Sequence, residues 1–395
     1  MNKRKIIIFF ILYFLFGISV NIVHPITVEY VTLLNLPDEY FGFFSSLMSL
    51  GQVVGAILFG FLSDKIGRKW LVILGLIGYA LSQIGFGFIN SIPFVILIFR
   101  FLAGFFISAP STLFVSLCID YSNKDTKVKM LSILTSCYIL GTSVGYEIGG
   151  LLKDIIGLSI DNIFIFQVCF TTLTATLFGI FIKDVYKNNN SQKNIVVNKS
   201  SKTKHNYLIY LLLTSLMILT IGQILINKYL DTYIIHIGFK ASILGHYVLI
   251  TGIFSAVSNL LIIPFIKKIK GNKLGYCLSI FIFISSILVF ITFSIKTNIL
   301  YLLFSTHLIY IIIKGLITPL EQNELSNYIN NNNNGKLTGA RQTIISIGNV
   351  LGPLLGSLVY SKGSPTIFMV ASVILLISLI IYIIYFISKR KKHYV

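Results

Sequence analysis

Among the ionisable side chains inside the long apolar runs of this 395-residue chain, Arg100, Glu147 and His307 are the candidates for proton chemistry. If those runs cross a bilayer, each charge at depth costs at least ~2.5–3.5 kcal/mol on insertion scales, so each needs a function or a partner. Arg100 stands about seven residues from the outer end of its run, roughly 10 Å deep, and Glu147 about five residues from the end of the next, at roughly 7–8 Å. Consecutive antiparallel runs bring these opposite charges to similar depth, where they can form a pair or join one polar network. A glutamate that alternates between a paired and a protonated state is what a proton carrier requires, and its protonation would shift the balance between conformations. Two other readings stand beside this one: a permanent structural pair, and a Glu147 that reaches the outer interface. His307, in "FSTHLIY", has a side chain that titrates near physiological pH; the competing reading is a hydrogen-bonded packing residue. Lys314, near the inner end of the same run, is placed to snorkel.

Other polar residues mark a path rather than a proton. His24 lies beside Pro25 and after Asn21, a combination that breaks the first apolar run. Such breaks are tolerated where they line a cavity, which makes Asn21 and His24 candidates for a substrate path, with Gln52, Gln223 and Asn259 as further polar candidates. The cysteines, Cys118, Cys137, Cys169 and Cys277, sit within or at the end of apolar runs without a CxxC pair. They are expected to be small hydrophobes, not metal ligands or a disulfide framework. No cofactor or metal site is expected, and there is no catalytic constellation, HExxH or P-loop. Pumping by ATP hydrolysis in this chain is excluded, so the work must come from an existing gradient.

The elements that carry these residues follow from composition. With 55% hydrophobic and 11% charged residues, the chain cannot build the polar shell of a soluble protein. Apolar runs of helix length recur, strand-like alternation does not, and only helices and closed barrels satisfy their backbones in lipid. The expected fold is an all-α membrane protein with twelve transmembrane helices at 6–28, 41–62, 70–89, 93–117, 130–152, 163–182, 207–228, 242–266, 274–295, 299–320, 337–360 and 365–387. The start, "MNKRKIIIFFILYFLFGISV", has the charge and apolar stretch of a signal peptide but no small-residue cleavage site, so it is expected to remain as the first span. The net charge of +19 is not a nucleic-acid signal, because the bases cluster between apolar runs. With the N-terminus inside, 25 of the 32 bases fall on the inner side, the bias expected of cytoplasmic loops, and both termini are then cytoplasmic. The polar, basic stretch 187–206 reads as a cytoplasmic linker between six-helix halves at 1–186 and 207–395. "NYINNNNNGK" is a second, low-complexity loop.

The halves share features. "GTSVGYEIGG" from Gly141 and "GNVLGPLLGS" from Gly348 both read G-x-x-x-G-x-x-x-G-[GS], 207 residues apart, and Gly67 has a counterpart in Gly271 at an offset of 204. The first stripe is Gly141, Gly145, Gly149 and Gly150; the second is Gly348, Gly352 and Gly356, with Pro353 placed to bend its helix. Small residues at this spacing lie along one helix face and permit close packing. By the same offset Arg100 corresponds to His307. Parallel repeats of this kind form two bundles around a central cavity.

On these motifs the chain resembles the major facilitator superfamily, and within it the drug/proton antiporter branch. "GFLSDKIGRK", Gly60 to Lys69, is similar to that family's loop motif between spans two and three; "RFLAG" resembles its fourth-span motif, with Ala103 where the family has glutamine. "GTSVGYEIGG" resembles the fifth-span antiporter motif, with Tyr146 where the family has proline. The resemblance implies that Gly60, Asp64, Gly67, Arg68 and Lys69 form a conformational latch. In it, Gly60 and Gly67 allow close approach and a tight reversal, and Asp64 accepts bonds from the N-terminal end of span eleven. The simpler reading is that the bases only anchor the loop inside. The resemblance also implies a proton-coupling role for Arg100. The expected function is export of a small organic molecule by proton antiport through alternating access. Its partners are substrate, protons and lipid, with no nucleic acid, and it acts as a monomer in the plasma membrane. A proton-coupled importer of the same fold is the first alternative, and a non-transporting sensor the second.

Overall fold

The computed structural model describes residues 3–37, 39–89, 92–122, 126–182, 206–266, 272–295, 298–326, 328, 334–360 and 364–393. All regular structure among them is helical: α1 (Lys3–Asn21), α2 (Thr27–Leu33), α3 (Glu39–Ile66), α4 (Arg68–Phe88), α5 (Pro93–Tyr121), α6 (Lys127–Asp154), α7 (Ile160–Phe181), α8 (Asn206–His236), α9 (Ala241–Ile266), α10 (Asn272–Ser294), α11 (Ile299–Leu302), α12 (Leu308–Ser326), α13 (Asn334–Val359) and α14 (Thr366–His393). Eleven stretches among the described residues are long and apolar enough to cross a bilayer. The remaining long helix, α6, has 28 residues, ample for a crossing, but carries Glu147, two lysines near its start and Lys153–Asp154 at its end. Each expected span therefore corresponds to a helical rod. The linker 187–206, apart from its last residue, and Gly271 lie outside the described residues, as does most of the low-complexity loop.

Three departures from uninterrupted spans matter for function. The first span breaks into α1 and α2 around a 3-10 turn at His24–Ile26, because Pro25 cannot donate a backbone hydrogen bond to the preceding turn. The carbonyls beside the break are met by neighbouring side chains. Gln167 Nε2 donates to the carbonyl oxygens of Ser19 at 2.9 Å and Val20 at 3.2 Å, and the Tyr79 hydroxyl donates to Val20 at 3.1 Å. Irregular backbone at membrane depth is thus satisfied by buried side chains. The seventh span does not end at 228 as the sequence suggested. No glycine or proline interrupts it, and α8 runs on to His236 before Gly238 turns the chain at a φ of 96°. Finally, α11 passes into α12 through a π-helical turn, Leu303–His307, the kind of local widening that often accompanies a functional residue.

The chain divides into two compact units. The first contains Met1–Tyr186 with Lys228–Leu260 and Pro353–Ser364; the second contains Lys187–Asn227, Leu261–Gly352 and Pro365–Val395. Within the first unit, α1 and α6 meet backbone to backbone. A Cβ on Gly141, Gly145 or Gly149 would strike the carbonyl oxygens of Phe14, Ile18 and Ile22 respectively, so glycines spaced by four lie against carbonyls spaced by four. Gly150, one residue on, turns to the start of α9 at Ala241 and Ser242. The aromatic core of this unit gathers Phe9, Tyr13, Phe16, Phe114 and Phe178, with ring centroids 4.7 to 5.9 Å apart along the chain of contacts. In the second unit, Gly348 and Gly352 of α13 lie against Thr220 and Ile224 of α8. Hydroxyl-to-carbonyl bonds tie α8 and α10 to α14: Ser215 Oγ to Ser378 O at 3.1 Å, and Ser286 Oγ to Ser372 O at 2.8 Å.

Candidate substrate and proton site

The structure separates Arg100 from Glu147. Both lie on consecutive helices, but they face different neighbours, which depth along a helix cannot reveal. Arg100, on α5, is 5% exposed and stacks its guanidinium over the Phe86 ring of α4, 3.6 Å from the centroid, with Phe44 at 5.6 Å. The Phe86 residue is itself fixed, since Tyr30 donates to its carbonyl at 2.6 Å and Phe44 and Phe164 meet its ring edge-on at 5.4 and 5.7 Å. Glu147, on α6, turns to α9, where its Oε1 lies 2.6 Å from His246 Nδ1. The expected Arg100–Glu147 pair is therefore replaced by a cation on an aromatic shelf and a separate carboxylate–imidazole pair.

The second unit contains a shelf of similar build. His307 is fully buried in the π turn, 5.9 Å from the Phe293 ring in an edge-on arrangement, with Tyr310 at 5.1 Å. Phe293 stacks on Phe368 at 3.7 Å. Phe293 and His307 stand 207 residues after Phe86 and Arg100, and Phe368 stands 204 after Phe164. The same two offsets seen in the glycine motifs thus recur in side chains that touch. Lys314 does not reach outward for water; its Nζ donates to Asn227 Oδ1 at 2.9 Å.

The extension of α8 brings in two residues absent from the expected sites. Asp231, 7% exposed, accepts a 2.7 Å hydrogen bond from the Tyr146 hydroxyl. Lys228, one turn earlier, is close enough to Asp231 to be attracted and to Arg100 to be repelled. Both cations also act on His24, whose ring lies 5.5 Å from that of Tyr146 and nearly parallel to it. A span ending at 228 hides this cluster; the signal that finds it is the lack of a helix breaker before Gly238, with Lys228 and Asp231 three apart on one face.

Tyr146 and Glu147 belong to a polar seam along one side of α6. From one end to the other, Asn259 Nδ2 lies 3.3 Å from Ser136 Oγ, Ser143 touches Gly252, Glu147 meets His246, and Asp154 accepts the Ser242 amide at 2.6 Å. Asn259 thus sits in the seam. Asn21 is 8% exposed and donates to the Gly17 carbonyl at 3.3 Å. Gln52 is exposed on α3 and Gln223 half-buried on α8. At the far end of α13, Pro353 accepts a 2.7 Å bond from Tyr229 and packs against Gly42, while Gly356 is buried.

In the glycine-rich loop, Gly67 has a φ of 94° and makes the tight reversal into α4. Gly60 does not serve close approach, since a Cβ there would meet open space; the near contacts of α3 come earlier, at Gly51 and Gly55 against α5. Arg68 pairs with Asp120 at the end of α5, and Lys69 lies over the Trp70 ring at 5.7 Å. The side chain of Asp64 lies outside the described residues. At an end of the second unit, Glu324 is fully buried and accepts from Tyr385 at 2.6 Å and Lys389 at 2.5 Å, and Glu321 pairs with Arg341 at 2.8 Å.

Bilayer-length helices, eleven of them apolar enough to cross among the described residues, with repeated shelves and embedded charge, define a polytopic membrane protein of transporter build. The family model described as Major Facilitator Superfamily matches residues 9–347 and again 271–395, and the chain belongs to that superfamily. It is similar to the tetracycline resistance protein, class H, of Pasteurella multocida, 25% identical over 91% of this chain and 90% of that protein. It is also similar to multidrug resistance protein 1 of Bacillus subtilis, 23% identical over 91% of each. Among solved structures, a bacterial homologue of the human lysosomal transporter Spinster, inward-facing and occupied, superposes with a TM-score of 0.75, at 12% identity over 97% of this chain and 96% of that one. The protein is an integral membrane transporter of the major facilitator fold, and its fold and family are not those of enzymes.

Proposed function

We propose that the chain exports a small organic molecule in exchange for protons, by alternating access between two six-helix bundles, 1–186 and 207–395. The observation that carries this reading is the hydrogen bond from Tyr146 to Asp231. It joins a helix of the first sequence half to a helix of the second through a buried carboxylate. Protonating that carboxylate removes the charge that Lys228 attracts, and so changes the balance between a joined and a separated state. Glu147, paired with His246, is a second carrier, and Arg100 and His307 on their matched shelves tune the charge around the path. The names of the tetracycline and multidrug resistance relatives support export. The substrate path runs past Asn21, His24, Gln52, Gln223 and Asn259. Gly60, Asp64, Gly67, Arg68 and Lys69, with Asp120 added as the partner of Arg68, serve as the latch. The protein works as a monomer in the cell membrane with both termini cytoplasmic, an orientation that rests on the basic inner loops.

Proteoliposomes carrying an imposed pH gradient test the proposal. Substrate should accumulate against its gradient only while protons flow the other way. Asp231→Asn, which keeps a hydrogen-bond acceptor and loses the titration, should leave passive exchange and abolish accumulation. Accumulation by Asp231→Asn at the unmodified rate would remove proton exchange through this residue.

A further inference from the structure

This inference rests on the export reading and names the substrate class. Around the break in the first span, a buried cation, Arg100, and a half-buried one, Lys228, stand near one acid. Arg100 is 95% buried by the complement of its 5% exposure, its Nε has no hydrogen-bond partner, and no carboxylate lies within ion-pairing distance of it among the described residues. The face of Phe86 supports the guanidinium from one side, but a ring quadrupole is a weaker partner than a carboxylate and leaves the buried Nε–H without an acceptor. Lys228 likewise has no ion pair within 4 Å among the described residues, and Asp231, one turn on, already accepts from Tyr146. The remaining acids of this unit with described side chains hold other groups: Glu29 pairs with Lys153, Asp120 with Arg68, Glu147 with His246, and Asp154 takes the Ser242 amide. Asp161 lies in the exposed first turn of α7.

We propose that the Arg100–Lys228 cluster is the recognition site for an organic anion, an oxyanion on an aromatic body. The guanidinium fork and the ammonium fit a carboxylate or sulfonate, and the rings of Phe86, Phe44, His24 and Tyr146 fit the apolar part. An arriving anion relieves the repulsion between the two cations, whereas a cationic substrate would add to it in a medium that screens poorly. Direction agrees with sign: an inside-negative membrane potential drives an anion out of the cytoplasm.

A matched probe set separates the charges on one ring system: 2-naphthoate, its methyl ester and 2-naphthylmethylammonium. Binding is measured on the purified full-length protein in detergent, and flux in proteoliposomes. Naphthoate should bind about thirtyfold more tightly than the ammonium analogue, Lys228→Gln should erase that preference, and Lys228→Arg should keep it. Arg100→Gln, if it folds, should weaken naphthoate and leave the ester unchanged. The proposal is overturned if the ammonium probe binds as well as naphthoate, if none of the three binds, or if Lys228→Gln retains the preference. Naphthoate that binds but does not move under a gradient would remove the transport reading and leave the anion site standing. Movement of the ammonium probe in preference to naphthoate would do the reverse.

Discussion

The two faces of α6 are built on opposite principles. Toward α1 the helix presents Gly141, Gly145 and Gly149 to bare carbonyls, a contact made of backbone, without side chains to rearrange. Toward α9 and the end of α8 it presents Ser136, Ser143, Tyr146, Glu147 and Asp154, each meeting a polar group or a glycine. Close backbone packing has steep distance dependence and one good arrangement. Hydrogen bonds can be exchanged for others of similar strength, to water or to a substrate. The first face is suited to hold through a transport cycle and the second to open during it. Under the orientation proposed above, with both termini inside, the joined ends of α6, α8 and α9 are the outer ones.

The largest expected effect lies on the fixed face. Gly149→Leu drives a side chain into the Ile22 carbonyl and the Pro25 ring; it should cost more than about 3 kcal/mol and show as lost folded yield and a lower Tm in detergent. Next come the charges of the mobile face. Glu147→Gln should leave folded yield unchanged and lower proton-driven flux by about a hundredfold, read in proteoliposomes. Tyr146→Phe removes one hydrogen bond to a buried carboxylate and should cost about 1.5–3 kcal/mol in the joined state. That loss would appear as readier opening in spin-label distance distributions between the outer ends of α6 and α8. Asn259→Ala should be smallest, about 0.6 kcal/mol, a shift in Tm of a degree or two at most. A Gly149→Leu variant that folds normally while Asn259→Ala unfolds would invert the assignment of the two faces.

Much of this contrast was legible in the sequence, and the part that was not has a physical cause. The helical rods and the glycine stripes follow from hydropathy and spacing, which are properties of one chain segment at a time. The Asn21–His24 break was legible because Pro25 acts locally. Which face of a helix meets which neighbour is a property of packing. Arg100 and Glu147 match in depth yet turn to Phe86 and His246, so their proposed pairing did not survive the structure. Asp231 was missed because polar residues near a span end read as loop when hydropathy alone sets the boundary, although nothing in "NKYLDTYIIH" stops a helix. Gly60 illustrates the converse: it fits a family motif, but its surroundings are open, and Gly51 and Gly55 make the close contacts instead.

Adjacent residues at one end of α6 permit a direct test, because Lys153 pairs with Glu29 at 2.8 Å on one side and Asp154 with the Ser242 amide on the other. Cysteines are placed at 154 and 242, or at 153 and 29, in a background with the four native cysteines replaced, and each pair is joined with the same short thiol-reactive linker. Linking Asp154→Cys to Ser242→Cys should stop transport in proteoliposomes, with recovery when the linker is cleaved, while linking Lys153→Cys to Glu29→Cys should leave transport running. Undiminished transport with 154 joined to 242 would contradict the account.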